Sequence, residues 1–289
     1  MNDRVFAVIG GDIRFSRVIE RLCQDGYPVY VVAHSCCGNI GNAVVCDLQT
    51  AMTAANFVLL PIPALREGQM LNLSENPISE EVFCGYVRKG QTIFGGKLSE
   101  NFCEKIREVS GYPLDYLTNE SMTVQNAMIT AEGAVSLAMQ QRKETIFGSR
   151  CLIMGYGRIG KILSRYLHFM GASVTVCARK ESDRTWAKLC GYDAISPSLL
   201  SEEVRSADIL FNTVPYMIFD ASVLQFVQRR CFIVDLASKP GGVDLKAAAD
   251  YGLTAVQALS LPGKTAPISA GDILYQTVLS MISERSQQS

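Results

Sequence analysis

The chain has 289 residues, 48% of them hydrophobic and 19% charged, with a formal net charge of −1. That length accommodates two α/β domains with separate cores, and the balanced charge gives no basic surface for nucleic acid. No apolar run reaches bilayer-spanning length, so no membrane association is expected.

Met1-Asn2-Asp3-Arg4 leads directly into a strand with no apolar leader, which reads as a cytoplasmic protein. The ten cysteines lack CxxC spacing. Cys23, Cys84, Cys151, Cys177 and Cys231 fall inside apolar segments, as small core residues do in a reducing compartment. Cys36-Cys37 beside His34 has no second ligand pair at zinc spacing, so no metal is expected.

In chain order, Val5 to Ile9 reads as a strand, Gly10-Gly11-Asp12 as a turn, and Ile13 to Gln24 as a helix with apolar Ile13, Val18, Ile19 and Leu22. Strands follow at Val29 to Ala33 and Ala43 to Cys46, then a helix near Leu48 to Ala55 and a strand at Phe57 to Leu60. Residues 64 to 80, with Asn72, Ser74, Asn76 and Pro77, read as a loop. Thr92 to Phe94 is a strand and Ser99 to Val109 a helix. Alternating strands and helices predict a doubly wound, mostly parallel sheet. Its ligands bind beyond the carboxyl ends of the strands, where Gly10-Gly11-Asp12-Ile13-Arg14, Leu60-Pro61-Ile62-Pro63 and Gly95-Gly96-Lys97 fall. Arg14, just inside the first helix, suits a substrate carboxylate or a phosphate or, equally, a solvated surface role.

Residues 121 to 145 read as one long helix, capped by Thr118-Asn119-Glu120-Ser121. The resulting organisation is an N-terminal α/β domain (1–120), a bridging helix (121–147), a dinucleotide-binding domain (148–270) and a C-terminal helix (271–289) that packs back on the first domain. The fold class is thus α/β, two doubly wound parallel-sheet domains with a cleft between them, the second a Rossmann domain.

The densest signal is Cys151 to Lys180. A short apolar strand enters Gly155-Tyr156-Gly157-Arg158-Ile159-Gly160, a helix follows with Ile162, Leu163, Tyr166, Leu167 and Met170 on one face, Gly171 stops it, and Val174 to Cys177 forms the next strand. GxGxxG in this setting is a dinucleotide fingerprint: the first glycine permits the turn, the second admits the pyrophosphate, the third lets helix and strand approach. NAD-selective sites carry Asp or Glu after the second strand, but this chain has Ala178-Arg179-Lys180. A small residue followed by Arg accommodates a 2′-phosphate, so NADP is the expected cofactor.

Asp208 to Asn212 reads as a strand ending in Asn212-Thr213-Val214-Pro215, whose polar groups offer hydrogen bonds to ribose or carboxamide. Cys231 to Leu236 ends in Asp235-Leu236-Ala237-Ser238-Lys239-Pro240-Gly241-Gly242, and Leu253 to Ala255 precedes Leu261-Pro262-Gly263-Lys264-Thr265-Ala266-Pro267. Lys239 and Lys264 offer cations to a carboxylate from strand-end loops, with Ser238 and Thr265 to orient a ring; Lys239, Lys264 and Thr265 are the candidate catalytic residues. Of two histidines, His34 lies in the first domain and His168 in the middle of the fingerprint helix. The Arg/His/Glu set of a 2-hydroxyacid dehydrogenase is missing, which fits oxidation of a ring driven by aromatisation. Water, Asp235 or Glu132 is a candidate proton acceptor.

Together Gly10 to Arg14, Asn126 to Ala134, Gly155 to Gly160, Asp235 to Gly242 and Leu261 to Pro267 resemble the dipicolinate synthase A subunit family of spore-forming bacteria over nearly the whole chain. The resemblance implies NADP-dependent oxidation of a dihydrodipicolinate-level dicarboxylate to dipicolinate in the mother-cell cytoplasm during sporulation. It also implies a flavoprotein-like B subunit of dipicolinate synthase as partner in a hetero-complex, and a homo-oligomer is expected as well. The alternatives are a D-2-hydroxyacid dehydrogenase-like enzyme and a nucleotide-binding regulatory subunit.

Overall fold

The computed structural model describes residues 4–34, 40–66, 69–73 and 77–288. The Cys36-Cys37 pair lies outside them, as do Ser74 and Asn76 of the expected loop. The chain forms two compact units, one of residues 1–123 with 266–289 and one of residues 124–265.

The first unit opens with β1 (Phe6–Ile9), α1 (Ile13–Gln24), β2 (Val29–Val32), β3 (Val44–Val45), α2 (Leu48–Ala54) and β4 (Phe57–Leu59). Next come β5 (Leu65–Arg66), β6 (Met70–Leu71), α3 (Glu80–Tyr86), β7 (Thr92–Gly95), α4 (Glu100–Glu108) and β8 (Tyr112–Asp115). The long helix α5 (Glu120–Gln141) leaves this unit. The sheet order β3-β2-β1-β4-β7-β8 is parallel throughout and reverses direction between β1 and β4. Short polar side chains cap the helices where the chain leaves extended backbone: Asp12 for α1, Asp47 for α2, Ser79 for α3 and Ser99 for α4.

Residues 64–80 are not all loop: β5 and β6 pair antiparallel. Ile13 is 50% exposed, and Phe15 is buried beside Val18, Ile19 and Leu22. Ile13 is the first helical residue and points off the face that the later residues share.

The second unit holds β9 (Arg150–Met154), α6 (Arg158–Phe169), β10 (Ser173–Cys177), α7 (Glu181–Leu189), β11 (Asp193–Ile195), α8 (Leu200–Glu203) and β12 (Ile209–Asn212). It continues with α9 (Ala221–Leu224), β13 (Phe232–Asp235), α10 (Leu245–Asp250), β14 (Thr254–Gln257) and α11 (Leu261–Thr265), and α12 (Pro267–Gln288) returns the chain to the first unit. Its sheet, β11-β10-β9-β12-β13-β14, is again all parallel and reverses between β9 and β12. Both units therefore have the 3-2-1-4-5-6 strand order of a doubly wound dinucleotide fold.

Most of α5 belongs to the second unit rather than standing as a separate bridge. Ala131, Ala134 and Ala138 are fully buried in one core cluster with Ile153, Leu163 and Phe211. A second cluster, with Leu152, Leu210, Leu224 and Ala248, covers the opposite face of the sheet. Sandwiching buries β9 and β12 on both sides, which explains why β9 reads as an apolar strand. Among the described residues no helix is long and apolar enough to cross a membrane.

Candidate functional site

The switch point of the second sheet lies where β9 and β12 send their chains to opposite sides, and both motifs read there meet. Gly155 leaves β9 at φ +97°, a conformation that a side chain opposes. A β-carbon there would also fall within 3.0 Å of the Thr213 hydroxyl. At Gly160 a β-carbon would stand closer than 3.0 Å to the Gly155 carbonyl oxygen, so helix and turn are in direct backbone contact. Gly157 is different: no protein atom lies within 4 Å of the space its β-carbon would take. It is the N-cap of α6 and, having no side chain, makes no side-chain cap hydrogen bond.

Around this turn, Tyr156 is buried and Arg158 is exposed, with Ile159 half-buried against the core. The Tyr156 phenol is pushed upward in pKa by burial and by its bond to Cys190. At the end of β10, Ala178 is 2% exposed, and Arg179 and Lys180 are both exposed.

The β12 end departs from expectation. Asn212 is fully buried, and its amide donates to the Val214 carbonyl (3.0 Å) and to Asp235 Oδ1 (2.8 Å), while its own oxygen accepts from Val214 N (3.1 Å). Its side chain is committed inside the protein and offers nothing to a ribose or carboxamide. Thr213 Oγ1 donates to the Met154 carbonyl at 2.8 Å, which leaves it only as an acceptor. Val214 is half-buried and Pro215 exposed on the same loop.

Asp235 is the counterpart anchor. It is 1% exposed and accepts from Asn212, Ala237 N (3.2 Å) and Gly242 N (2.9 Å). These bonds tie the 212–216 and 235–242 loops together, and a β-carbon at Gly242 would meet the carbonyls of Val214 and Tyr216 at 2.6 Å. Asp235 is thus a scaffold, not an accessible proton acceptor. Glu132 lines an apolar groove of about 680 Å³ beside Tyr166 and Phe169 in the last turn of α6 and its C-cap Met170.

Ser238 and Lys239 are exposed on the β13 loop. Lys264 and Thr265 are exposed too, but they lie on helix α11, not on a loop, and a β-carbon at Gly133 would fall 2.6 Å from Thr265 Oγ1. His168 occupies the last turn of α6, not its middle, and packs edge-on against Tyr192.

In the first unit Arg14 is buried and bonded to Asp12 through two nitrogens, Nε to Oδ1 (2.9 Å) and Nη2 to Oδ2 (2.7 Å). The expected carboxylate clamp therefore already holds a carboxylate of this chain. Beside it, His34 faces the Gly10 carbonyl through Nδ1 (3.0 Å) and Ser16 Oγ through Nε2 (2.8 Å). A carbonyl only accepts, so Nδ1 carries the proton and Nε2 of the neutral ring accepts from Ser16. This Ser16–His34 pair was not read from the sequence, because its members are 18 residues apart. Among the described residues no group of three metal-ligating side chains gathers.

Comparison with known proteins bears on this geometry. Residues 5–117 match the model of the N-terminal domain of the dipicolinate synthase A subunit. Residues 108–244 match that of the D-isomer specific 2-hydroxyacid dehydrogenase NAD binding domain. The dipicolinate synthase A subunit of Bacillus subtilis (strain 168) is 32% identical over 287 residues, covering 96% of this chain and 95% of that protein. The chain belongs to the dipicolinate synthase A subunit family.

The crystal structure of the Bacillus subtilis dipicolinate synthase A chain superposes with a TM-score of 0.88 at 27% identity, covering 100% of this chain and 99% of that one. The corresponding A subunit from Bacillus halodurans gives 0.86 at 26% identity, covering 96% and 97%. As a member of this family the chain has a nicotinamide-dinucleotide-binding dehydrogenase domain and an oxidoreductase role. The residues present fit such a cofactor: the space beside Gly157 at the start of α6 is open, as a close approach of a pyrophosphate to the backbone requires.

Proposed function

We propose that this member of the dipicolinate synthase A subunit family oxidises a dihydrodipicolinate-level ring to dipicolinate with NADP. The observation that carries the cofactor choice is the end of β10. Buried Ala178 leaves room, and exposed Arg179 and Lys180 supply positive charge where an NAD-selective site places a carboxylate. Arg179 pairs with the 2′-phosphate, and the α6 amides receive the pyrophosphate.

When bound, the nicotinamide supplies a hydride acceptor, and aromatisation of the substrate ring drives transfer. The chain's own part is to hold the ring. Lys239 and Lys264 are exposed cations for carboxylates, and Ser238 and Thr265 are hydroxyls for orientation. Arg14 is left out of this reading, because Asp12 occupies its fork. We further assign the chain to a homo-oligomer that forms a hetero-complex with a flavoprotein-like B subunit in the mother-cell cytoplasm of a sporulating bacterium. The relative's name designates it one subunit of a synthase, which supports the hetero-complex.

The match to the 2-hydroxyacid dehydrogenase NAD-binding model favours a second reading, turnover of a 2-hydroxy acid. Against it stands His168, packed on Tyr192 in the last turn of α6. The test is a spectrophotometric assay of the purified chain with freshly generated dihydrodipicolinate and NADP or NAD, with and without the B subunit. Equimolar NADPH and dipicolinate support the proposal. Hydroxyacid turnover without dipicolinate supports the second reading, and NADP binding without turnover in either arm points to a regulatory role.

A further inference from the structure

The loop between β10 and α7 has an internal brace. Arg184, one turn into α7, directs a single nitrogen, Nη1, to two successive carbonyls, Ala178 O (2.8 Å) and Arg179 O (2.8 Å). Lys180 caps α7 without a side-chain hydrogen bond. Arg184 thus supplies what a capping side chain does elsewhere, a fixed path for the backbone that carries Arg179. Its Nε and Nη2 make no hydrogen bond within the described residues, so one edge of the planar fork remains for an anion.

Charge makes the same residue decisive. Arg179, Lys180 and Arg184 share this segment with Glu181 and Asp183. Three cations against two carboxylates leave a positive balance, and without Arg184 the balance is neutral. A 2′-phosphate near two carboxylates needs that excess.

We infer that Arg184 is the positioning residue for cofactor selectivity: it fixes the 178–179 backbone and turns the local charge positive, so that the ribose 2′-phosphate is accepted. The inference rests on the NADP reading above. Its test is calorimetric titration of the full chain and its Arg184→Ala, Arg184→Lys and Arg179→Ala variants with NADP and with NAD.

Arg184→Ala is expected to weaken NADP binding about 10- to 100-fold, the range for a hydrogen-bonded charge, while NAD binding changes by less than about threefold. Arg184→Lys, which keeps the charge but not the fork, is expected between wild type and Ala. A purely structural brace would weaken both cofactors alike and leave their ratio unchanged. If wild type prefers NADP and Arg179→Ala loses that preference, an unchanged ratio in Arg184→Ala overturns the inference alone. If wild type binds NAD as tightly as NADP, the NADP reading itself fails, whatever the variants do. Should Arg184→Ala not fold, Arg184→Gln carries the same comparison, since it keeps a donor for the carbonyls without the charge.

Discussion

Gly160 lies so close to Gly155 that a β-carbon on the first would stand within 3.0 Å of the second's carbonyl oxygen, whereas Gly157, midway between them in the turn, faces open space. The two positions therefore fail differently. Gly160→Ala must push α6 from the turn, with an expected loss of about 1–3 kcal/mol in unfolding free energy. Gly157→Ala meets no protein atom, so its melting temperature stays within a few degrees of wild type, the effect of about 1 kcal/mol or less at a helix cap. Its dinucleotide Kd nevertheless rises, because the methyl group occupies pyrophosphate space. Differential scanning calorimetry paired with titration calorimetry separates the two variants.

Asp235 gathers one side-chain amide and two backbone amides while 1% exposed. Asp235→Ala leaves those donors short of acceptors in a dry interior, at an expected cost of about 2–4 kcal/mol. Urea unfolding at neutral pH measures it. A loss under about 1 kcal/mol would mean that the loops hold together by other means.

The Asp12–Arg14 pair is bidentate, with the arginine side chain 9% and the aspartate side chain 46% exposed. Half-exposure of the acid screens the pair, so Arg14→Ala should lower stability by about 1–2 kcal/mol. A double-mutant cycle with Asp12→Ala should recover most of that as coupling. Additivity would place the arginine's worth elsewhere.

Burial lowers the pKa of His34 below its ordinary 6.5, with the Gly10 carbonyl and the Asp12 charge opposing. The unfolded chain then takes up a proton that the folded ring refuses, so this contribution to stability is complete above pH 6.5 and declines as the pH falls through that value. Asp12 acts in a lower window. Burial would raise its carboxyl, but the bonds and charge of Arg14 outweigh burial and hold it below 3.8, so its contribution fades only as the pH drops under that value. Melting temperatures measured from about pH 8 to about pH 4 in wild type and His34→Asn should diverge least at the acid end. Parallel curves would assign the slope to other groups.

The glycine turn and the small residue after β10 were legible because each is a demand of local backbone geometry, written within a few neighbouring residues. Helix starts at Asp12, Ser99 and Asn119 were legible for the same reason. The role of Asn212 is not legible, because an amide at a strand end looks alike whether it faces a ligand or a neighbour, and its neighbour Asp235 is 23 residues away. Leu261-Pro262-Gly263 reads as a turn and puts Lys264 on a loop, yet proline is tolerated in a first helical turn and the segment closes as α11. β5 and β6 have two residues each, too few to show any period.

The final helix was expected at about the right residues, but what fixes it lies far away in sequence. Arg17 bonds Asp272 at 2.9 Å across 255 residues, and a β-carbon on Gly271 would sit 2.5 Å from that of Arg17, so α12 lies directly against α1. The unit that begins the chain is therefore the last to be finished. During vectorial synthesis the whole of residues 124–265 leaves the ribosome while α1 still lacks its neighbour. Until Asp272 arrives, the side of α1 that carries Arg17 has no helix to pack against, so the two ends of this unit meet only after the whole of the other unit has been made.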